Sequence, residues 1–153
     1  MRLLELKIPP PIVALLTGAA MWFVRHVGSS IDLPPLVRTV IASAIAVCGG
    51  GLAFAGNIAF RRAKTTINPL RPENVSSLVM SGIYRFTRNP MYLGLLMVLV
   101  AWAFHLSSAS AFAGPLLFLF YIDRFQIVPE ERVLVVKFGQ AYSDYRSQVR
   151  RWL

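Results

Sequence analysis

Apolar residues along this chain fall into four blocks that are separated by shorter polar segments. The blocks lie at about residues 11–27, 36–60, 91–106 and 109–122. A helix needs ~20 apolar residues to cross the hydrocarbon layer of a membrane. The second block meets this length and the first nearly does, whereas the last two are short, which leaves open whether they span fully. The pattern predicts an all-α integral membrane protein with about four transmembrane helices and a cytoplasmic C-terminal helical tail.

The order of the blocks predicts the domain organisation. A length of 153 residues fits one domain, and we expect a single membrane-embedded domain over residues 1–153. Pro129 is expected to start a new helix after the last block. The parts of the domain are two N-terminal spans at 1–60, a cytoplasmic loop at 61–90, a helical hairpin at 91–128 and a cytoplasmic helical tail at 129–153 that completes the site.

Composition narrows the class of protein. Apolar residues make up 56% of the chain and charged residues only 15%, whereas a soluble domain usually carries about 25% charged residues. So few charges cannot coat a water-facing surface, which argues against an ordinary soluble enzyme, a disordered tail and a fibrous repeat. The first residues lack a small-residue cleavage site, so no removable signal peptide is predicted.

The positive charges predict the orientation in the membrane. The net charge is +9, and 14 of the 16 Lys and Arg residues fall in the N-terminus, the 61–90 loop and the segment that follows the last apolar block. Cytoplasmic loops of membrane proteins are enriched in Lys and Arg. We therefore expect a multi-pass protein of the cell membrane with both termini in the cytoplasm and its basic residues near anionic membrane lipids. This explanation of the charge predicts no nucleic-acid partner.

The apolar blocks contain few groups that could carry chemistry. No Asp, Glu or Lys lies at their centres, which argues against a proton-coupled small transporter. His26 and His105 lack Cys or acidic neighbours, so no metal site is predicted, and Cys48 has no partner for an intramolecular disulfide. The glycine run at 49–51 predicts close helix packing and small-residue faces for homo-oligomer contacts, rather than a phosphate loop.

Polar residues gather instead at the predicted cytoplasmic ends of the later blocks. The clusters occupy 61–69, 81–94 and 124–132, and two further groups follow at 138–145 and 150–153. A site at this boundary can take a water-soluble reagent from one side and a lipophilic one from the other. We therefore expect the chemistry of the protein here.

Two motifs lie in these clusters. Gly82-Ile83-Tyr84-Arg85 is followed by Arg88-Asn89-Pro90-Met91-Tyr92-Leu93-Gly94, and Glu130-Glu131-x-x-Leu134 is followed by Phe138-Gly139-x-x-Tyr142-x-x-Tyr145. With these motifs, residues 60–153 resemble the isoprenylcysteine carboxyl methyltransferase and phospholipid methyltransferase superfamily of integral membrane enzymes. The resemblance implies a methyltransferase that uses S-adenosylmethionine and releases S-adenosylhomocysteine. It also implies that the last helices and the tail, rather than a Rossmann domain, hold the cofactor.

The resemblance implies a set of cofactor-binding residues, and the chemistry of the cofactor supports it. Arg88 or Arg150 can bind the carboxylate, and Glu130 can accept hydrogen bonds from the ribose hydroxyls. Tyrosine rings can line a slot for the adenine, and Gly94 can let a ligand approach the backbone closely. The full candidate set is Tyr84, Arg88, Asn89, Pro90, Tyr92, Leu93, Gly94, Glu130, Tyr142, Tyr145 and Arg150.

The same residues also have plain structural explanations. Tyr92 can be an aromatic side chain at the membrane interface. Glu130 and Glu131 can form a solvated helix start, and Tyr142 and Tyr145 can belong to an amphipathic tail on the membrane surface. These alternatives stay open at the level of the sequence.

Glu131 and Arg124 are the predicted catalytic pair, which would orient or deprotonate the methyl acceptor. Gln126 stands where relatives carry Arg, and Asn89 stands where the signature often has His. These departures count against a prenylcysteine substrate and leave open whether Arg124 or Gln126 lies at the substrate end. The acceptor classes are an isoprenylcysteine-like carboxylate, a lipid headgroup and a thiol. The alternative function is a non-catalytic four-helix membrane protein or small transporter that shares the fold.

Overall fold

The computed structural model describes residues 5–63, 70 and 72–153, and this part of the chain is helical and contains no strand. The all-helical prediction is therefore confirmed for these residues. The first four residues and most of the cationic cluster at 61–69 lie outside the described part. The α-helices are α1 Pro10–Val24, α2 Pro35–Arg62, α3 Pro90–Leu106, α4 Ala113–Ile122, α5 Val128–Phe138 and α6 Gln140–Gln148.

Proline residues mark where the first three helices begin. Pro10, Pro35 and Pro90 each occupy the first position of their helix. The first N–H groups of a helix have no partner within it, so a residue that lacks an N–H costs nothing there. At its other end, α2 carries Arg61 and Arg62 in the last turn, where positive charge interacts favourably with the helix dipole. These local rules place the helix boundaries close to the edges of the apolar blocks.

Two helical runs are long and apolar enough to cross a membrane. They are Pro35–Arg62, with 28 residues, and Ala109–Phe138, with 30 residues. Helices α1 and α3 are apolar but shorter, with 15 and 17 residues. The structure thus supports a membrane location, while the count of four spans stays a prediction.

Helices α2 and α3 touch at their backbones. A Cβ atom added at Gly94 would lie 2.5 Å from the carbonyl oxygen of Gly49 and 2.9 Å from the Cβ of Ala53. The packing predicted for the glycine run is confirmed at Gly49, whereas no atom of the described residues lies within 4 Å of a Cβ added at Gly50 or Gly51. The small size of Gly94 therefore serves helix contact, and the predicted close approach of a ligand at this residue is wrong.

An α-helix begins next to Pro129 as predicted, since α5 starts at Val128 with this proline in its first turn, but the chain stays helical across the junction. Helices α4 and α5 form one continuous run through a π-helical segment, Asp123–Ile127. In an α-helix, the N–H of residue 129 would bond to the carbonyl of residue 125, and proline has no N–H to offer. The carbonyl oxygen of Phe125 accepts the N–H of Leu6 instead, at 3.0 Å. The N-terminal segment thus satisfies the acceptor that Pro129 leaves open.

The buried core joins α1, α3 and α4. Met21, Leu99 and Phe118 belong to it, and Phe118 is only 1% exposed. Tyr92, at the start of α3, and Ile127, in the π-helical segment, belong to the same cluster. The start of α3 and the π-helical segment are therefore held together by packing, and the candidate site forms beside them.

Candidate functional site

A cavity lies between the end of α2, the segment 72–79, the start of α3, α5 and α6. Eight of the sequence-predicted site residues line it: Tyr84, Arg88, Asn89, Tyr92, Glu130, Glu131, Tyr142 and Tyr145. They come from four separate parts of the chain, and the fold brings them to one place.

Arg88 is the cationic residue among those that line this cavity. Its side chain is 9% exposed, and its Nη2 lies 3.1 Å from Oε1 of Glu131. Its Nε and Nη1 are buried and have no hydrogen-bond partner among the described residues. Buried donors are nearly always paired, because a donor without a partner keeps its full desolvation cost. A ligand with an anionic group would satisfy both donors of Arg88.

Glu130 is oriented by two donors. The hydroxyl of Tyr92 and the Nε2 amide of Gln126 each donate to its Oε1 at 2.6 Å. Tyr92 is 8% exposed and belongs to the core cluster, so it is not an exposed aromatic residue at a membrane surface. Glu130 therefore presents an acceptor at a defined place in the cavity wall.

Three tyrosines supply the aromatic part of the wall. Tyr84, Tyr142 and Tyr145 are all buried, and the rings of Tyr142 and Tyr145 lie 6.2 Å apart at 59°. The hydroxyl of Tyr145 donates to the backbone oxygen of Tyr84 at 2.7 Å. Burial raises the pKa of Tyr142 to about 12 and raises the pKa values of Tyr84 and Tyr145 as well. These phenols are therefore neutral near pH 7.

Glu131 lies in an ion-pair cluster rather than at a solvated helix start. It is 7% exposed, and its Oε1 and Oε2 accept from Arg151 at 3.1 and 2.7 Å. The Nη1 of the same guanidinium donates to both carboxylate oxygens of Asp123, at 2.9 and 3.2 Å. The hydrogen bonds to Glu131 raise the pKa of Arg151 further, so it carries its charge at any ordinary pH.

The C-terminal segment is also tied to the first motif through its backbone. The N–H of Arg88 donates to the carbonyl of Arg150 at 3.0 Å, and the Nδ2 amide of Asn89 donates to the carbonyl of Arg151 at 2.9 Å. The buried hydroxyl of Thr87 reaches the same carbonyl of Arg151 at 3.3 Å. The side chain of Arg150 is exposed, so the structure leaves Arg88 as the arginine that faces the cavity.

Arg124 does not reach the cavity. Its side chain is 46% exposed, and its Nη1 lies 3.3 Å from Oε1 of Glu5 in the N-terminal segment. Gln126 is 2% exposed and points to Glu130, so of these two residues Gln126 is the one at the site. The predicted pairing of Arg124 with Glu131 is therefore wrong, because Arg124 lies on another side of the same helical run.

Pro90, Leu93 and Gly94 also do not line the cavity. All three are buried on the faces of α3 that pack against neighbouring helices. Pro90 lies against α2, where an added Cβ at Gly56 would meet its Cγ at 3.2 Å. The motif around these residues thus combines cavity residues with packing residues.

The sequence reasoning missed two groups of site residues. The first is the polar pair Asp123 and Arg151. Asp123 directly follows the fourth apolar block, and an ionisable residue at such a place is a signal of a functional site. The second is the apolar wall, to which the predicted cytoplasmic loop contributes most. Its members are Phe60, Pro72, Val75, Leu78, Val79, Met91, Ile127 and Leu134. Apolar residues inside a polar loop were the signal for this wall.

Comparison with known proteins identifies the family of this chain. The sequence model of a family described as phospholipid methyltransferase matches residues 37–141, which is over two thirds of the chain. An uncharacterized protein of Haemophilus influenzae is 46% identical over 63 residues, which are 41% of this chain and all of that protein. No solved structure matches. With both motifs and the cavity between them inside or beside the matched region, the chain belongs to the phospholipid methyltransferase family, within the group of integral membrane methyltransferases.

Proposed function

We propose that this protein transfers a methyl group from S-adenosylmethionine to a lipophilic acceptor at the cytoplasmic boundary of the membrane. The observation that carries the proposal is Arg88, which lines a cavity built from the residues of both family motifs and has two buried donors without a partner among the described residues. Family membership supports methyl transfer in general. The choice of cofactor and acceptor rests on the chemistry of the cavity.

The groups in the cavity fit the parts of S-adenosylmethionine. The Nε and Nη1 donors of Arg88 would bind its carboxylate, in a charge-assisted contact. Glu130, held by Tyr92 and Gln126, would accept from the ribose hydroxyls. The buried rings of Tyr84, Tyr142 and Tyr145 would line the adenine slot. When bound, the sulfonium supplies the electrophilic methyl group.

Glu131 is proposed to act by orientation rather than as a base. Both of its carboxylate oxygens accept from guanidinium groups, those of Arg88 and Arg151. Because both oxygens already accept hydrogen bonds from guanidinium groups, neither is free to take a proton from the acceptor. Glu131 holds Arg88 in place and forms the polar end of the cavity. There it would orient the acceptor. Arg124 lies outside this proposed mechanism.

The apolar wall favours a lipophilic acceptor. Val75, Leu78 and Val79 from the segment before the first motif line the cavity together with Phe60 and Met91. Such a wall would bind a hydrocarbon chain and keep water away from the reacting atoms. When the acceptor is anionic, opposite charges disappear in the transition state, and the loss of water then favours the reaction. A prenylcysteine-like carboxylate, a lipid headgroup and a thiol all remain in this class.

The proposed site agrees with the charge-based topology. In the four-span arrangement, the end of α2, the start of α3 and the C-terminal segment all lie on the side that holds most of the positive charge. We therefore propose a multi-pass protein with both termini and the cavity on the cytoplasmic side. Cysteine labelling from either side of the membrane, with single Cys variants at positions 29 and 143, would test this orientation.

The central experiment measures binding of S-adenosylhomocysteine to the purified protein by calorimetry. We expect saturable binding with a dissociation constant on the order of micromolar, as is common for enzyme ligands. A screen of methyl transfer to prenylcysteine analogues, phosphatidylethanolamine and small thiols would then identify the acceptor. Folded protein that binds no S-adenosylhomocysteine and methylates none of these acceptors would contradict the proposal and favour a non-catalytic relative.

A further inference from the structure

The guanidinium of Arg151 joins two acids that lie on one helical run. It donates to Glu131 with Nε and Nη2, and to Asp123 with Nη1, at distances from 2.7 to 3.2 Å. The Arg151 side chain is 31% exposed, whereas that of Glu131 is 10% exposed. Arg151 thus reaches from the surface into the polar end of the cavity.

The π-helical segment explains why one guanidinium can reach both acids. Residues eight apart on a regular α-helix differ by about 80° in direction around the axis. Asp123 and Glu131 are such a pair, and the segment Asp123–Ile127 between them is π-helical. A π-helix has more residues in each turn, so each residue rotates the chain less and the two acids come closer to one face. Wide turns of this kind occur often at functional sites.

Arg151 has a direct effect on the charge around Arg88. Glu131 receives the Nη2 of Arg88 and the guanidinium of Arg151 together, so its negative charge is shared between two cations. Without Arg151, the buried carboxylate of Glu131 would have Arg88 as its remaining cationic partner, and an unbalanced buried charge is costly. Arg88 would then turn more of its donors to Glu131. With Arg151 in place, the Nε and Nη1 of Arg88 have no partner among the described residues and stay available to a ligand in the cavity that Arg88 lines.

We propose that Arg151 is a positioning residue. Through Glu131 it orients Arg88, which is the group of this site that would bind an anion on the ligand. The inference rests on the proposed function, because the anion is taken to be the carboxylate of the cofactor. The same contacts fix the C-terminal segment, whose carbonyls accept from Arg88 and Asn89. The position of the C-terminal segment and the orientation of Arg88 are therefore coupled through the side chain of Arg151.

The test compares Arg151→Gln, Arg151→Lys and the wild-type protein in S-adenosylhomocysteine calorimetry. We expect Arg151→Gln to weaken binding at least ~tenfold, since it removes a charged partner from a buried cluster. Lysine keeps the charge but cannot donate to both acids in the same fixed geometry, so Arg151→Lys should lie between the two. Arg146→Gln is the matched control, because Arg146 is an exposed arginine of the same tail.

A double-mutant cycle separates positioning from general stability. Asp123 is proposed to act through Arg151, so Asp123→Asn should weaken binding in the wild-type background and have little further effect beside Arg151→Gln. Two additive losses would contradict the proposal. Hydrogen exchange of the amides of residues 149–153 should also speed up in Arg151→Gln and stay unchanged in Arg146→Gln.

The outcomes distinguish this inference from the proposed function. If Arg151→Gln folds, loosens the tail and still binds S-adenosylhomocysteine within about twofold of wild type, the positioning role is refuted and the proposed function stands. If Arg151→Gln does not fold, the same comparison is made with Arg151→Lys and Asp123→Asn, and unchanged binding in both refutes the role. If the wild-type protein itself does not bind, both the function and the inference fail.

Discussion

Two residues of one short motif lie on different faces of α3 and serve different functions. Tyr92 lies on the face toward the cavity and donates its hydroxyl to Glu130 at 2.6 Å. Gly94, two residues later, lies against Gly49 of α2, where an added Cβ would be 2.5 Å from a carbonyl oxygen. One residue supports the chemistry of the site, and the other supports the contact between two helices. The motif that identifies the family therefore combines a residue that serves the site with a residue that serves helix packing.

The strongest test of this difference is Gly94→Val. The added side chain collides with the backbone of α2, so we expect the protein to lose about 3 kcal/mol of stability or to fail to fold. Thermal unfolding in detergent and the yield of monodisperse protein measure this. Gly50→Val is the matched control and should change stability by less than ~0.5 kcal/mol, because no atom in the described part of the chain lies within 4 Å of an added Cβ there. Equal losses in both variants would show that the tight contact at Gly94 is not the cause.

A second test affects the cavity and spares the helix contact. Arg88→Gln removes the charge that would bind the carboxylate of the cofactor, and hydrogen bonds to charged groups are worth about 1.5–3 kcal/mol each. We expect S-adenosylhomocysteine to bind roughly 100-fold more weakly, with α2–α3 packing intact. Calorimetry gives the affinity, and circular dichroism reports the helix content.

Arg85→Gln is the control for this variant. Arg85 belongs to the same motif region, but its side chain is exposed and does not line the cavity. Its affinity should stay within about threefold of wild type. Similar losses in the two variants would mean that bulk positive charge, rather than the buried donors of Arg88, attracts the ligand.

The smallest effect is expected from Tyr92→Phe. The ring keeps its place in the core, and only the hydrogen bond to Glu130 is lost, and a hydrogen bond is typically worth about 0.5–1.5 kcal/mol. We expect about tenfold weaker S-adenosylhomocysteine binding and a small change in melting temperature.

Trp102→Phe provides the comparison at the other end of α3. The Nε1 of Trp102 donates to the backbone oxygen of Gly18 at 3.1 Å, far from the cavity residues. This variant should lower the melting temperature while leaving ligand affinity within about twofold. If Trp102→Phe weakens binding as much as Tyr92→Phe does, the two ends of α3 are not functionally separate.

Much of the fold could be predicted from the sequence because it depends on local rules. Long apolar runs require helices, and Pro10, Pro35 and Pro90 mark helix starts wherever the rest of the chain lies. The motifs predicted the family, which the family comparison confirms. Pro129 lies in the first turn of α5 as expected, and Leu6, more than 100 residues away, satisfies the carbonyl of Phe125 that this proline leaves open.

The types of residue in the candidate site could be predicted from the sequence, but the side of the helix on which each residue lies could not. Arg88, Glu130 and Tyr142 line the cavity as expected. Arg124 was assigned to the site because it precedes the acidic pair, but its neighbour Asp123 is the one that faces Arg151. Adjacent residues on a helix point about 100° apart, so an error of one position exchanges a site residue for a surface residue.

The sequence by itself determined the helical character, the family and the kinds of groups that meet at one end of the helices, because these follow from composition and short-range patterns. Only the tertiary structure decided which side of each helix faces the cavity. That choice depends on a π-helical turn, on the backbone contact between Gly49 and Gly94, and on a C-terminal arginine that reaches Glu131. Each of these three features depends on contacts between distant parts of the chain or changes the direction of side chains along a helix. A local sequence pattern therefore does not predict them.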